Sequence, residues 1–188
     1  MKITLEEYTN PSNLGKYAGI CYGREGNNEK RLAHIIGVGH LSVLRFGSAV
    51  FRISGISRVC LAQLTRSKHL DYLVRSSRYC DESEAELILP DAFGELDNEM
   101  QLHITMYLQK SDDLYQDLRS KGMSKQDARY ILPQAQETEL FVCGNYQAWK
   151  DFIKLRTSIS AQIEVREVAL AIEKELQQIA PIIFGEVE

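Results

Sequence analysis

An α+β fold is predicted from three features: one stretch that alternates as a strand, several that repeat with the period of a helix, and turn residues between them. The strand is 48–54, where Ala49, Phe51 and Ile53 fall opposite Val50 and Arg52, and Gly55 permits a turn after it. Ahead of it, residues 6–28 are polar and turn-rich, with Asn10-Pro11 and 23–28 read as loops, and a helix then runs through about Gly37. From Ile56 the spacing becomes helical: Ile56, Val59 or Cys60, and Leu64 make one stripe, and Gln63 and Arg66, three apart, point to the same side. A second helix is expected over 97–120, burying Met100, His103 or Ile104, Tyr107 or Leu108, Leu114 and Leu118. Gly122 stops it, Ser124 caps a short helix with Asp127 three residues on, and Pro133 ends that helix soon after Arg129. The last helix is expected over 148–179, stopped by Pro181, with Phe152, Ile159, Ile163 and Leu170 on its apolar face.

The chain has 188 residues, 44% of them hydrophobic, which is enough to build a core, and it is expected to form a single domain over 1–188. No tract approaches the ~20 apolar residues that cross a bilayer, and the opening residues mix acids with apolar side chains. A cytoplasmic protein without membrane contact is therefore expected. Cys21, Cys60, Cys80 and Cys143 form no close pair, and His34, His40, His69 and His103 are dispersed, so reduced thiols and no metal are expected.

The charge pattern has one reversal. Residues 58–79 hold five Lys/Arg (Arg58, Arg66, Lys68, Arg75, Arg78) against the single acid Asp71, whereas the whole chain has a net charge of −4. Guanidinium forks beside Ser76 and Ser77 suit phosphate oxygens, and the alternative is a solvated charged helix face. The segment lacks the extended basic and aromatic interleaving of single-strand grooves, and the acidic balance opposes a polyanion, so nucleic acid is not an expected partner. Two more arginines invite a choice. Arg129 is either a surface helix residue or an anion contact. Arg156 lies within an apolar stripe, where a cation is costly without a receiver, so it is either a structural ion pair or a ligand contact.

The run Arg66-Ser67-Lys68, seven residues, then Ser76-Ser77-Arg78-Tyr79 resembles the signature of the flavin-dependent thymidylate synthases, the thymidylate synthase complementing family. Three further segments follow the family's order: Phe51 to Arg58 ending at Gln63, Ala128 to Pro133, and Leu155-Arg156 with Ala161 to Arg166. The resemblance implies an antiparallel-rich sheet packed with helices and a long C-terminal helix. It also implies reductive methylation of dUMP to dTMP, with methylenetetrahydrofolate as carbon donor, reduced FAD as hydride source and NADPH recharging the flavin. A homotetramer with shared active sites is implied too. By matching positions, Gln63, Arg66, Ser76, Ser77, Arg78 and Arg129 hold the nucleotide; Arg156 contacts the base, and Arg156 and Ser76 are the catalytic residues. Arg166 is a weaker supporting candidate. The flavin falls to Arg66, Ser67, Lys68, His69, Asn145, Gln147 and Asp151.

The departures from the family pattern concentrate on the flavin side. Ser67 and Lys68 stand for His and Arg, Gln147 for Arg, Asp151 for Asn or His, and the His-Glu-Ser-x-x-Glu-His segment is His40-Leu41-Ser42-Val43-Leu44-Arg45-Phe46. Val74 also stands for an acid or amide two before the signature Ser, and Ser77 in place of Gly or Gln is the main deviation on the nucleotide side. A second reading therefore stands beside the first: a pyrimidine-nucleotide protein that hydroxymethylates or otherwise modifies its ligand without normal flavin chemistry, or binds it as a non-catalytic subunit.

Overall fold

The computed structural model describes residues 1–23 and 26–185. Four strands, β1 (Lys2–Tyr8), β2 (Ser48–Ser57), β3 (Leu70–Val74) and β4 (Glu137–Asn145), form one antiparallel sheet in the order β1-β2-β4-β3. Ala49, Phe51 and Ile53 of β2 are fully buried and Arg52 on the same strand is exposed, as alternation requires. Their cover is α6 (Tyr146–Arg156) and α7 (Ile163–Ile179). Trp149 of α6 meets Phe51 edge-on at 5.2 Å and Phe152 at 5.7 Å, and its indole N–H donates to the Ala49 carbonyl at 3.1 Å. Side chains of this size each contribute about 1.5–3 kcal/mol on full burial. Gly144 is required under this layer, because a Cβ there would come within 2.2 Å of Leu70.

The α+β class and the antiparallel sheet hold, and several elements differ from expectation. The opening residues are structured. β1 pairs with β2, and Asn10-Pro11 starts α1 (Pro11–Tyr22) rather than a loop, because Asn10 caps the helix and Pro at its first position has no N–H to lose. α2 (Asn28–Gly37) follows, capped by Asn27; residues 24 and 25 of the loop expected before it lie outside the described residues. Gly55 does not end β2. It sits at φ 71° in a bulge against β4, where a Cβ would press on the Met1 backbone at 3.0 Å, and the strand continues to Ser57.

Ser57 then caps α3 (Arg58–Leu64), and the Glu164 carboxylate of α7 accepts from both the Ser57 N–H (2.7 Å) and hydroxyl (2.6 Å). Because α3 ends at Leu64, Arg66 lies beyond it, and the helical spacing that would put it beside Gln63 does not apply.

α4 (Asn98–Ser120) has the expected span and buries Leu108 as expected, but the rest of its inner face differs: Ser111 and Tyr115 are buried, while Met100, Tyr107 and Leu114 are exposed. The Ser111 hydroxyl donates to the Ile131 carbonyl at 2.6 Å, which lets a polar residue face inward. Gly122, at φ 86°, follows α4, and Ser124 caps α5 (Lys125–Ala128), leading to a 3-10 turn over Arg129–Ile131. The helix expected over 148–179 is two helices, α6 and α7. Residues 157–162 break it with Ser158 and Ser160 bonded to each other, and Gln162 caps the new start. Of the expected apolar face, Phe152 is buried but Ile159 is 90% exposed and Ile163 63%. α8 (Pro181–Phe184) closes the described chain.

Candidate functional site

The basic segment is not one helix face. It runs through α3, a turn, β3 and a second turn, and its cations have different fates. Arg58 and Arg75 point inward to Glu82, whose side chain is fully buried, at 3.5 and 3.6 Å. Burial raises the Glu82 carboxyl above the usual range, with the Arg75 and Arg58 charges opposing. Arg66, Lys68 and Arg78 remain exposed.

Beyond β3 the chain turns tightly, with the Tyr79 and Cys80 N–H groups both donating to the Ser76 carbonyl, at 3.0 and 2.8 Å. This turn meets α5. Arg129 donates to the Ser77 hydroxyl at 3.3 Å and to the Gln126 carbonyl at 3.1 Å, while Arg78 donates through Nε to the Gln126 side-chain oxygen at 2.8 Å and sits over the Tyr79 ring. Lys125 donates to the Tyr79 carbonyl at 3.0 Å. Two serines, two guanidiniums and an ammonium thus gather from segments 52 positions apart. The terminal amino groups of Arg78 bond to none of the described residues and are free to meet an anion.

Arg156 closes α6 and donates through Nη2 to the Gln63 carbonyl at 2.8 Å, while its Nε is buried without a partner among the described residues. The Tyr72 hydroxyl donates to the Leu64 carbonyl at 2.7 Å and fastens the end of α3 to the sheet. Burial raises the Tyr72 phenol, opposed by Ser67 and by the Arg156 charge. The Cys60 thiol is pushed up to about 12 by burial, with Glu164 adding and Arg156 opposing.

The remaining sequence candidates lie in the turn before β3 and along α6 and α7. Arg66, Ser67, Lys68 and His69 form the turn before β3, with His69 at φ 63°, and Ser67 Oγ is buried without a partner. Leu70 pairs with Gly144, which sets that turn beside Asn145. Asn145 caps α6 by accepting from the Ala148 N–H at 2.9 Å, and Gln147 donates to Asp151 at 3.0 Å, so these three side chains are engaged locally. Arg166 donates to the Ile159 carbonyl at 3.2 Å and helps close the α6–α7 break. His40 precedes a 3-10 turn over Leu41–Phe46, joined to α6 through the Tyr146 N–H bond to Gly47.

The chain therefore brings Ser76, Ser77, Arg78 and Arg129 together, and separately Gln63 and Arg156 with the 66–69 turn. No hydrogen bond or ion pair among the described residues joins the two groups. Gln126, Tyr72, Glu82 and Glu164 were not singled out by sequence. Gln126 and Glu82 flank motif residues, but nothing local marks them as polar contacts made across the fold. Among the described residues no group of three or more His, Cys, Asp or Glu side chains could hold a metal, and no helix is long and apolar enough to cross a membrane.

Comparison with known proteins gives a consistent result. The family profile described as thymidylate synthase complementing protein matches residues 4–182. A protein of Mycobacteroides abscessus named flavin-dependent thymidylate synthase is 38% identical over 196 residues, covering 92% of this chain and 78% of the relative. Proteins of the same name from Mycobacterium sp. (strain KMS) and Mycobacterium leprae are 36% and 34% identical, covering 79% and 80% of their own lengths. With a profile matched over nearly its whole length and relatives this similar, the chain belongs to the thymidylate synthase complementing protein family.

Proposed function

We propose that the chain is a flavin-dependent thymidylate synthase that converts dUMP to dTMP, taking its carbon from methylenetetrahydrofolate, with NADPH recharging the flavin. The observation that carries this reading is the meeting of Arg129 with Ser77 beside Arg78, a preformed cluster of donors suited to a monophosphate. Ser76, Ser77, Arg78 and Arg129 bind and orient the phosphate. Arg156, already fixed by its bond to Gln63, presents a cation to the base and stabilises negative charge developing on the ring, an effect strongest where water is excluded.

The donor set of the 66–69 turn fits the diphosphate of FAD: Arg66, Lys68 and His69 are exposed and bond to none of the described residues. Asn145, Gln147 and Asp151 lie beside them and would have to give up local bonds to take part. A flavin held by these residues would, in its reduced form, supply the hydride. Lys68 gives charge without the two-pronged contact of an arginine.

No hydrogen bond or ion pair among the described residues joins the two clusters within a chain. In the proposed homotetramer, one copy's phosphate cluster faces another's Arg156. The exposed Leu155, Ile159 and Ile163 are apolar surface for such a contact (59%, 90% and 63% exposed). The test is to incubate the purified protein with dUMP, methylenetetrahydrofolate, FAD and NADPH and separate the nucleotides. FAD-dependent dTMP is expected. Nucleotide binding with no dTMP and no flavin spectral change would favour the alternative of a nucleotide protein without flavin chemistry.

A further inference from the structure

Glu82 is a costly group to bury, and its placement relates it to the nucleotide cluster. Its side chain is fully buried, neither carboxylate oxygen has a hydrogen bond, and its ion pairs to Arg58 and Arg75 are 3.5 and 3.6 Å long. A buried carboxylate held this loosely is poor evidence of optimised stability, since apolar packing of equal volume holds elements together as well or better. Its connections are more informative. Arg75 and Glu82 flank the turn that carries Ser76, Ser77 and Arg78, and Arg75 also donates to the Asp81 carbonyl at 3.2 Å, closing the neck of that loop. Arg58 is the first residue of α3, whose last turn carries Gln63. The Glu82 N–H donates to the Tyr115 hydroxyl of α4 at 3.3 Å, and α4 leads into α5 with Gln126 and Arg129.

We propose that Glu82 is a positioning residue for nucleotide binding: its carboxylate pins the neck of the 75–82 loop to α3 through Arg58 and Arg75, so that Ser77 and Arg78 meet Arg129 and Gln126 in register. This rests on the nucleotide reading of that cluster. Glu82 touches no ligand, and it withdraws two cations from the basic segment, leaving Arg78 and Arg129 to face the phosphate.

The experiment is calorimetric titration of dUMP and steady-state kinetics on the full chain, comparing the wild type with Glu82→Gln, Arg75→Gln and Glu139→Gln. Glu82→Gln keeps the shape and removes the charge. It is expected to weaken dUMP binding by about ten- to a hundredfold, the scale on which small misplacements act, and to raise KM while kcat at saturating dUMP changes little. Arg75→Gln, altered from the partly exposed side, shifts affinity in the same direction and decides the matter where Glu82→Gln does not fold. Glu139→Gln, which removes the more exposed pairs to Arg52 and Arg75, leaves dUMP affinity unchanged. A folded Glu82→Gln or Arg75→Gln protein that binds dUMP like the wild type overturns the inference, as does a fall in kcat at constant KM. A wild type that binds no dUMP overturns the nucleotide reading along with it, so the two failures are distinguishable.

Discussion

At one end of β3, Arg129 and Arg78 are held by a serine hydroxyl and by Gln126, acceptors that orient each guanidinium and leave part of its fork free. Arg156, by contrast, gives Nη2 to a helix carbonyl and buries Nε without a partner among the described residues, in a half-buried setting near Tyr72 and Cys60. The first arrangement suits a ligand clamp, with Arg78 open at the surface and Arg129 half-buried beside it. The second is that of a fixed field source, whose charge already acts on its neighbours. The same residue type can thus serve binding or transition-state stabilisation according to what occupies its other donors.

Substitutions should separate these roles. Arg156→Ala is expected to have the largest effect, lowering turnover by about 10²–10³-fold, as for loss of a preorganised charge. Its cost to stability should be about 1.5–3 kcal/mol, from one hydrogen bond to a charged group; single-turnover assays and denaturant titration check the two parts. Arg129→Ala should chiefly weaken dUMP, by about 1.5–3 kcal/mol, with a smaller change in kcat. If Arg129→Ala lowers kcat and leaves affinity intact, the assignment of roles is reversed.

Gln126→Ala should cost less, about 0.5–1.5 kcal/mol of nucleotide affinity, because it removes the acceptor of Arg78 while its backbone carbonyl still orients Arg129. The smallest effect concerns Cys60. Its thiol, pushed up to about 12, stays protonated at neutral pH, so a thiol reagent should modify exposed Cys21 first and Cys60 last. Arg156→Ala should leave that order unchanged; rapid labelling of Cys60 in the variant would mean that α3 had opened and that its lost activity was structural.

Much of this was legible in the sequence wherever a local pattern controls the outcome. The alternation of Ala49, Phe51 and Ile53 gave β2, and the Ser124 cap gave α5. Asn10-Pro11 carried a helix-start signal that reads equally as a turn, and the packing of α1 against α2 decided between them. The break after Arg156 lay in a cluster of hydroxyl side chains, but the apolar period of Ile159 and Ile163 continued through it and masked the stop. The inner face of α4 could not be found from hydrophobicity, because Ser111 and Tyr115 are buried while Met100 and Leu114 are exposed. For the site, motif spacing located Ser77, Arg78 and Arg129. It could not reveal Gln126 or Glu82, whose partners lie 48 or fewer positions away in sequence but on other elements.

The most direct test compares dUMP with deoxyuridine, which lacks the phosphate, by titration against the wild type, Arg129→Ala and Arg156→Ala. The account predicts that the wild type strongly prefers dUMP, that Arg129→Ala removes most of that preference, and that Arg156→Ala retains it. Equal affinity of the wild type for the two ligands, or a preference that survives Arg129→Ala and vanishes in Arg156→Ala, would contradict it.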